Sequence, residues 1–549
     1  MRTLAALVLL IPALVRAQAS PYVPVDDIAY RYVDALIARG YLRSLSALER
    51  PYLVGRIRAA LDSSGLDSTS GVVASYAKTL STSLRRYELT RARDTLFAGV
   101  VTPENGGQYN RIISRRGPTI ITQDCYVDHC SKADTTTSAL PFRANASFDV
   151  YGTAQSSDRR ELMLADAHDD VKPGMAGYFV FAGGHLAGSV RALLDNRLNV
   201  DPEFAGRKDR KIAGRTEDAY VSGQWKYAEA TFGRVARNWG PPALQGLLLG
   251  DAPYTYDHLY ARIGTEQFHV ATVIARLENF VLSPGVESSR YFSLHRLAYR
   301  RGAFEGGLSE AYLYSGVARG LEFSLINPFN VFALSWRNER TDGNMSFGFD
   351  LSWRSRVAGT WSAQLLLDDV QIDKCDTICN EPSSYGFSLT ADGLPGWRGQ
   401  RPFASYTRVS NLAYRTPNIA ERYAVYGVGL ARGYSDYDEM RLGIDLAVVP
   451  RTPLKLYVAH RRQGEGDYRK AYPAPSQYAA TPVFLSGVVW TANRIGLSGA
   501  TIPFRDFQLA GDAGFNQVKN RRNIVGNDIT VFEGRAKVIW VPRWLIRFQ

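Results

Sequence analysis

Stretches that alternate strictly between large apolar and small or polar residues constrain this chain more than any other feature. In residues 345–354, Met345, Phe347, Phe349, Leu351 and Trp353 fall on one face, opposed by Ser346, Gly348, Asp350, Ser352 and Arg354. Residues 440–448 set Met440, Leu442, Ile444, Leu446 and Val448 against Arg441, Gly443 and Asp445. Phe148 and Val150 oppose Asp149, Tyr151 and Thr153, and residues 454–460 repeat the pattern. A period of two is that of a strand, whose successive side chains point to opposite faces. A polar face that mixes Gly, Asp and Arg suits a wet lumen, whereas a soluble sandwich turns its apolar face inward. The expected fold is mainly β, a transmembrane antiparallel β-barrel over residues 106–549. Bacterial barrels use even strand numbers.

The N-terminus supports export. Arg2 precedes an apolar run over residues 4–14, and Val15-Arg16-Ala17 or Ala17-Gln18-Ala19 offers a small-residue cleavage site. Residues 1–19 read as a signal peptide. No other stretch approaches the roughly 20 apolar residues that a membrane-spanning helix needs. The 31 Tyr and 48 Gly suit a turn-rich barrel with aromatic girdles. The net charge of +12 fits anionic lipid headgroups, an acidic polymer or simply basic loops, and export sets nucleic acid aside.

Residues 20–105 read as a helical bundle. Asp26-Asp27 precedes an apolar stripe of Ile28, Tyr32, Val33, Leu36 and Ile37 that ends at Gly40. A second helix is expected from Ser46 to Leu61, with Pro51 in its first turn or kinking it, and a third from about Gly71 to Phe97. The four cysteines fall in two close pairs, Cys125 with Cys130 and Cys375 with Cys379. In an exported chain the expectation is two local disulfides, because the spacing is not that of a zinc knuckle.

The least regular part of the centre is residues 233–264. Trp239-Gly240-Pro241-Pro242 fixes φ twice and removes two donors, which makes it a turn, a bulge or an inward-folded loop. Arg237, Asn238, Leu247-Leu248-Leu249 and Asp251-Ala252-Pro253 surround it. Downstream come Phe292-Ser293-Leu294-His295-Arg296-Leu297, Gly307-Leu308-Ser309-Glu310 and residues 344–350. This ordered set resembles the outer-membrane capsule-assembly family called Wzi, patchily over residues 25–549. The resemblance implies 18 strands, a helical bundle at the periplasmic end and a blocked lumen. It also implies non-catalytic, lectin-like attachment of capsular or extracellular polysaccharide at the cell surface. Trp544, Ile546 and Phe548 alternate at the C-terminus and resemble the last-strand signal read by the outer-membrane assembly machinery.

No catalytic constellation emerges, and no cofactor or metal is expected. Gly307-Leu308-Ser309-Glu310-Ala311 departs by one residue from a nucleophile elbow and lies in a β region. His168-Asp169-Asp170 reads as a solvated acidic loop. His295 is either the base of an outer-membrane hydrolase or a lumen histidine bonded to Glu310, and the second is preferred. Binding remains, since aromatic faces stack on sugars while Arg, Asp and Tyr hold hydroxyls and carboxylates. The candidate glycan ligands are Arg237, Asn238, Trp239, Tyr434, Tyr437, Arg461 and Arg462. Outer-membrane lipid, the assembly machinery and a periplasmic partner of the bundle complete the expected contacts. The rival readings are an anion-selective porin, a hydrolase and a purely structural barrel.

Overall fold

The structure, a computed structural model, describes residues 19–66, 71–87, 89, 94–101, 108–116, 119–126, 129–137, 142–165, 167–242, 244–338, 342–369, 381–542 and 546–548. Eighteen antiparallel strands close into a barrel. The first, Arg143–Ser157, pairs with the last, Ile529–Trp540, and with its continuation Ile546–Phe548, so the barrel closes on itself. The alternation works as the sequence requires. Phe349, Leu351, Trp353, Met440, Leu442 and Ile444 are exposed on the outer wall, while Ser352, Arg354 and Asp445 are buried inside. Phe268, Tyr299, Phe304, Trp353, Trp361 and Trp540 form an exposed aromatic girdle near one end. At that end the turns are short (184–185, 225–227, 302–303 and 505–506); at the other the connections are long (196–213, 235–256, 317–343 and 464–489). In barrels of this kind short turns face the periplasm and long loops the exterior.

The N-terminal helices are α1 (Ala29–Ala38), α2 (Val54–Asp62) and α3 (Val72–Ser83). The α1 stripe is fully buried through Val33, Leu36 and Ile37, and Gly40 ends the helix at φ 75°. The helices occupy the short-turn mouth of the lumen, and their apolar core runs on into Val180, Ala500 and Ile502 of the wall. Tyr32 donates to the Arg451 carbonyl (2.8 Å), and Arg39 reaches the lumen carboxylate of Asp445 (2.8 Å).

Three boundaries differ from those read in the sequence. Residues 46–53 are not helical: Glu49–Arg50 pairs with Asn238–Trp239 as a short antiparallel ladder, and the Ser46 hydroxyl accepts from the amides of Leu48 and Glu49. These tertiary partners outbid the local helical pattern, and α2 starts only after Pro51. The third helix stops at Ser83, followed by a 3-10 turn to Arg86. The barrel begins at Arg143 rather than near residue 106. Asp94–Val101, Tyr109–Arg116, Thr119–Cys125 and Asp134–Thr137 form a separate four-stranded sheet, with no ladder to the barrel among the described residues. Cys125 and Cys130 are joined by a disulfide at its end. Residues 1–18 and the pair Cys375 and Cys379 lie outside the described residues.

Candidate functional site

The Trp239 turn folds inward and builds the plug. Asn238 is pinned on both sides, its amide donating to the Leu244 carbonyl (2.7 Å) and its carbonyl accepting from Gly246 N (2.6 Å). The Trp239 amide donates to Leu249 O (2.9 Å). Arg237 lies 3.7 Å over the Tyr260 ring and donates to His258 (2.9 Å). All three side chains are buried, so these candidate ligands hold the inward loop rather than present a surface. The loop meets a second inward segment, residues 410–436: Gly250 N donates to Leu430 O (3.0 Å), and the Tyr414 and Tyr423 hydroxyls donate to the carbonyls of Leu247 and Leu248.

N-terminal segment, inward loop and wall meet at Glu49. It stands opposite Trp239 in the short ladder. Its carboxylate accepts from Arg296 Nε (2.8 Å) and lies 3.0 Å from His269 Nε2, while Arg296 also grips Asp350 with Nη2 (2.7 Å). Burial opposes the charge of Glu49, but the neighbouring His269 and Arg296 outweigh it and hold its carboxyl well below the usual range.

The long-loop half of the lumen keeps open space. One cavity of about 300 Å³ is lined by Tyr434, Tyr437, Glu439, Arg441, Arg461 and Glu161. A second, of about 260 Å³, is lined by Tyr434, Trp490, Glu465, Asp467, Arg469 and Lys470 among others. Tyr434 borders both. The buried Arg461 guanidinium lies 4.4 Å from the Tyr434 ring centroid and 4.8 Å from that of Tyr437, and donates to Glu161 (2.8 Å). The Tyr434 hydroxyl and the Trp490 indole N–H are buried without a protein partner among the described residues. Burial pushes the Tyr434 hydroxyl further up, so at neutral pH it is an O–H available to a ligand oxygen.

The structure thus gathers Tyr434, Tyr437 and Arg461, and separates Arg462 from them. Arg462 projects from the other face of its strand and donates to Asp438 there (3.0 Å). Sequence reading missed Trp490, Glu161, Glu439 and Arg441, which come from two strands and a loop. Glu439 and Arg441 carried only strand alternation as a local signal, and Glu161, in a loop, carried none.

The catalytic candidates do not assemble. His295 pairs with Glu310 (Nε2 to Oε2, 2.9 Å), but on the outer wall, not in the lumen. The expected partner is right and the face is wrong, because residues 291, 293 and 295 alternate with the lumen-facing Arg290, Phe292 and Arg296. Ser309 points inward from the neighbouring strand, opposite Arg296, so wall separates it from His295. The His168–Asp170 backbone opens the strand Ala167–Gly183 instead of forming a loop, and the side chains of His168 and Asp169 lie outside the described residues. Among the described residues no group of His, Cys, Asp and Glu is arranged to hold a metal ion.

An apolar outer belt, an aromatic girdle and a lumen filled from both ends define a plugged outer-membrane β-barrel. No family model matches the sequence, and no curated protein matches it. Solved structures do. Wzi of Escherichia coli, described as an outer-membrane protein involved in group 1 capsule assembly and a carbohydrate-binding β-barrel, superposes with a TM-score of 0.58 at 12% identity, over 96% of this chain and 100% of that one. OprD of Pseudomonas aeruginosa gives 0.40 at 10% identity, over 74% and 94%. OccAB4 of Acinetobacter baumannii gives 0.42 at 9%, over 75% and 99%. The chain has the Wzi fold, and the resemblance read from the Trp239 turn is borne out at that level.

Proposed function

We propose that this chain is a non-catalytic outer-membrane binder of capsular or other extracellular polysaccharide. The observation that carries the reading is Tyr434, which stands between two cavities at the exterior half of a filled lumen, with the Arg461 guanidinium on its face. An aromatic face stacks on the C–H surface of a sugar, and the free Tyr434 hydroxyl and Trp490 N–H supply hydrogen-bond donors beside it. Arg469 and Lys470 add cations for uronic carboxylates. The helices and the two inward loops obstruct the lumen, which supports a binder over an open pore. The separation of His295 from Ser309 speaks against a hydrolase built on those two residues. On this reading the assembly machinery inserts the barrel, and the helix-filled mouth is where a periplasmic partner meets it.

The test is a glycan-binding screen on refolded protein, run beside planar-bilayer recordings on the same sample. Polysaccharide binding with a silent trace is expected. Stable anion-selective steps without glycan binding would replace this reading by the porin one.

A further inference from the structure

The apolar belt has a gap, and one long loop fills it. On the strands Val286–Arg301 and Phe304–Gly316 the outward residues begin as a lipid face, with Tyr299, Leu297, Phe304 and Leu308 exposed. Towards the exterior the same face changes to His295, Tyr291, Glu310, Tyr312 and Tyr314. Glu310 is directly opposite Phe347, and Leu308 opposite Phe349, on the next strand. The His295–Glu310 pair therefore stands at the level of lipid-facing side chains, where hydrocarbon leaves polar atoms without partners.

Residues 317–338 cover this patch from outside. Two short helices, Phe323–Ile326 and Phe332–Asn338, turn Leu325 and Phe332 inward onto Tyr291, Tyr312 and Tyr314. The Phe332 ring sits 4.1 Å from His295, and the Phe332 amide donates to Glu310 (2.9 Å). Tyr291 donates to the Arg319 carbonyl (3.0 Å), and the Glu322 amide donates to the Tyr314 hydroxyl (3.2 Å). Away from the wall the segment exposes a mainly apolar side: Val317, Leu321, Phe323, Phe329, Val331 and Leu334 are all exposed, Phe323 by 87%. A loop that projected into water would have no reason to carry six such side chains outward.

We propose that residues 317–338 are a membrane-embedded latch that restores the lipid-facing surface over the polar patch and seats Phe323 and Phe329 among the acyl chains of the outer leaflet. Its continuity with the belt at Leu297, Leu308 and Phe349 identifies the occupant as lipid. The loop packs on the outside of the wall and does not enter the lumen, so this role is independent of the glycan site.

The test places single spin labels on the full-length protein in phosphatidylethanolamine/phosphatidylglycerol vesicles, at Phe323→Cys and Phe329→Cys. Phe349→Cys on the wall is the lipid reference and Val525→Cys, exposed in the turn 520–528, the water reference. Wild-type protein taken through the same labelling sets the background. Both loop labels are expected to collide with oxygen and to be shielded from a water-soluble nickel complex, as at residue 349. Nickel accessibility matching residue 525 at both positions would overturn the latch and leave the face to a protein partner.

Discussion

Arg461 and Arg462 are adjacent in sequence, yet their guanidinium groups lie on opposite sides of the barrel wall. Arg461 is buried against Tyr434 and Tyr437 in the lumen, and Arg462 is paired with Asp438 outside. The two are therefore predicted to behave differently. Arg461→Ala strips Glu161 and Glu439 of their buried partner and should cost about 3–5 kcal/mol. It should also abolish glycan binding. Arg462→Ala removes a half-exposed guanidinium from the buried Asp438, which keeps its hydrogen bond from Tyr406, and should cost less, about 1–2 kcal/mol, leaving binding intact. Denaturant unfolding and the glycan screen on both variants check this.

The inward loops depend on a close backbone approach. A Cβ on Gly250 would lie 2.1 Å from the Ala431 carbonyl oxygen, and backbone cannot yield as a side chain can. Gly250→Ala should loosen the contact between residues 235–256 and 410–436 at a cost of about 1–3 kcal/mol. Faster proteolytic cleavage within either loop, with the barrel itself resistant, is the expected result.

Acid should weaken the junction at Glu49. The folded-state pKa lies well below the ordinary 4.5. A carboxyl shifted this way contributes stability that is present above the unfolded value and lost as pH falls through the folded one. The wild type should melt higher than Glu49→Gln at pH 7, and the gap should narrow as pH drops below 4.5. A gap that stays constant with pH would show that Glu49 is not charged in the fold.

Salt should distinguish acidic from neutral glycans. If the ligand carries uronic acids, contacts from Arg469 and Lys470 at the open cavity are screened over about 8 Å at physiological ionic strength, and affinity should fall as salt rises. Titrations at low and high salt read this directly. An affinity indifferent to salt would assign the binding to Tyr434 and Trp490 stacking alone.

Local periodicity was enough to give the strands, the residues that share a face on each strand and, with its helical period, the α1 stripe ending at Gly40. These are local, because side-chain direction in a strand or helix follows from backbone period. The Trp239-Gly240-Pro241-Pro242 turn was likewise legible as a break, since two prolines exclude regular structure whatever surrounds them. What the break does was not legible. Only the fold sets Trp239 opposite Glu49, converts residues 49–50 from an expected helix into a ladder, and so joins the two plugs.

The sites follow the same division. Tyr434, Tyr437 and Arg461 were visible as a polar and aromatic cluster near strand ends. Their neighbours Trp490 and Glu161 come from distant parts of the chain, and closure of the barrel brings them together. The pairing of His295 with Glu310 could be read from sequence, but its place outside the wall could not. A single strand's alternation states which residues share a face. Which face is covered is decided by long-range packing, here the segment 317–338 folding back over the wall, and packing of that kind leaves no periodic mark in the sequence.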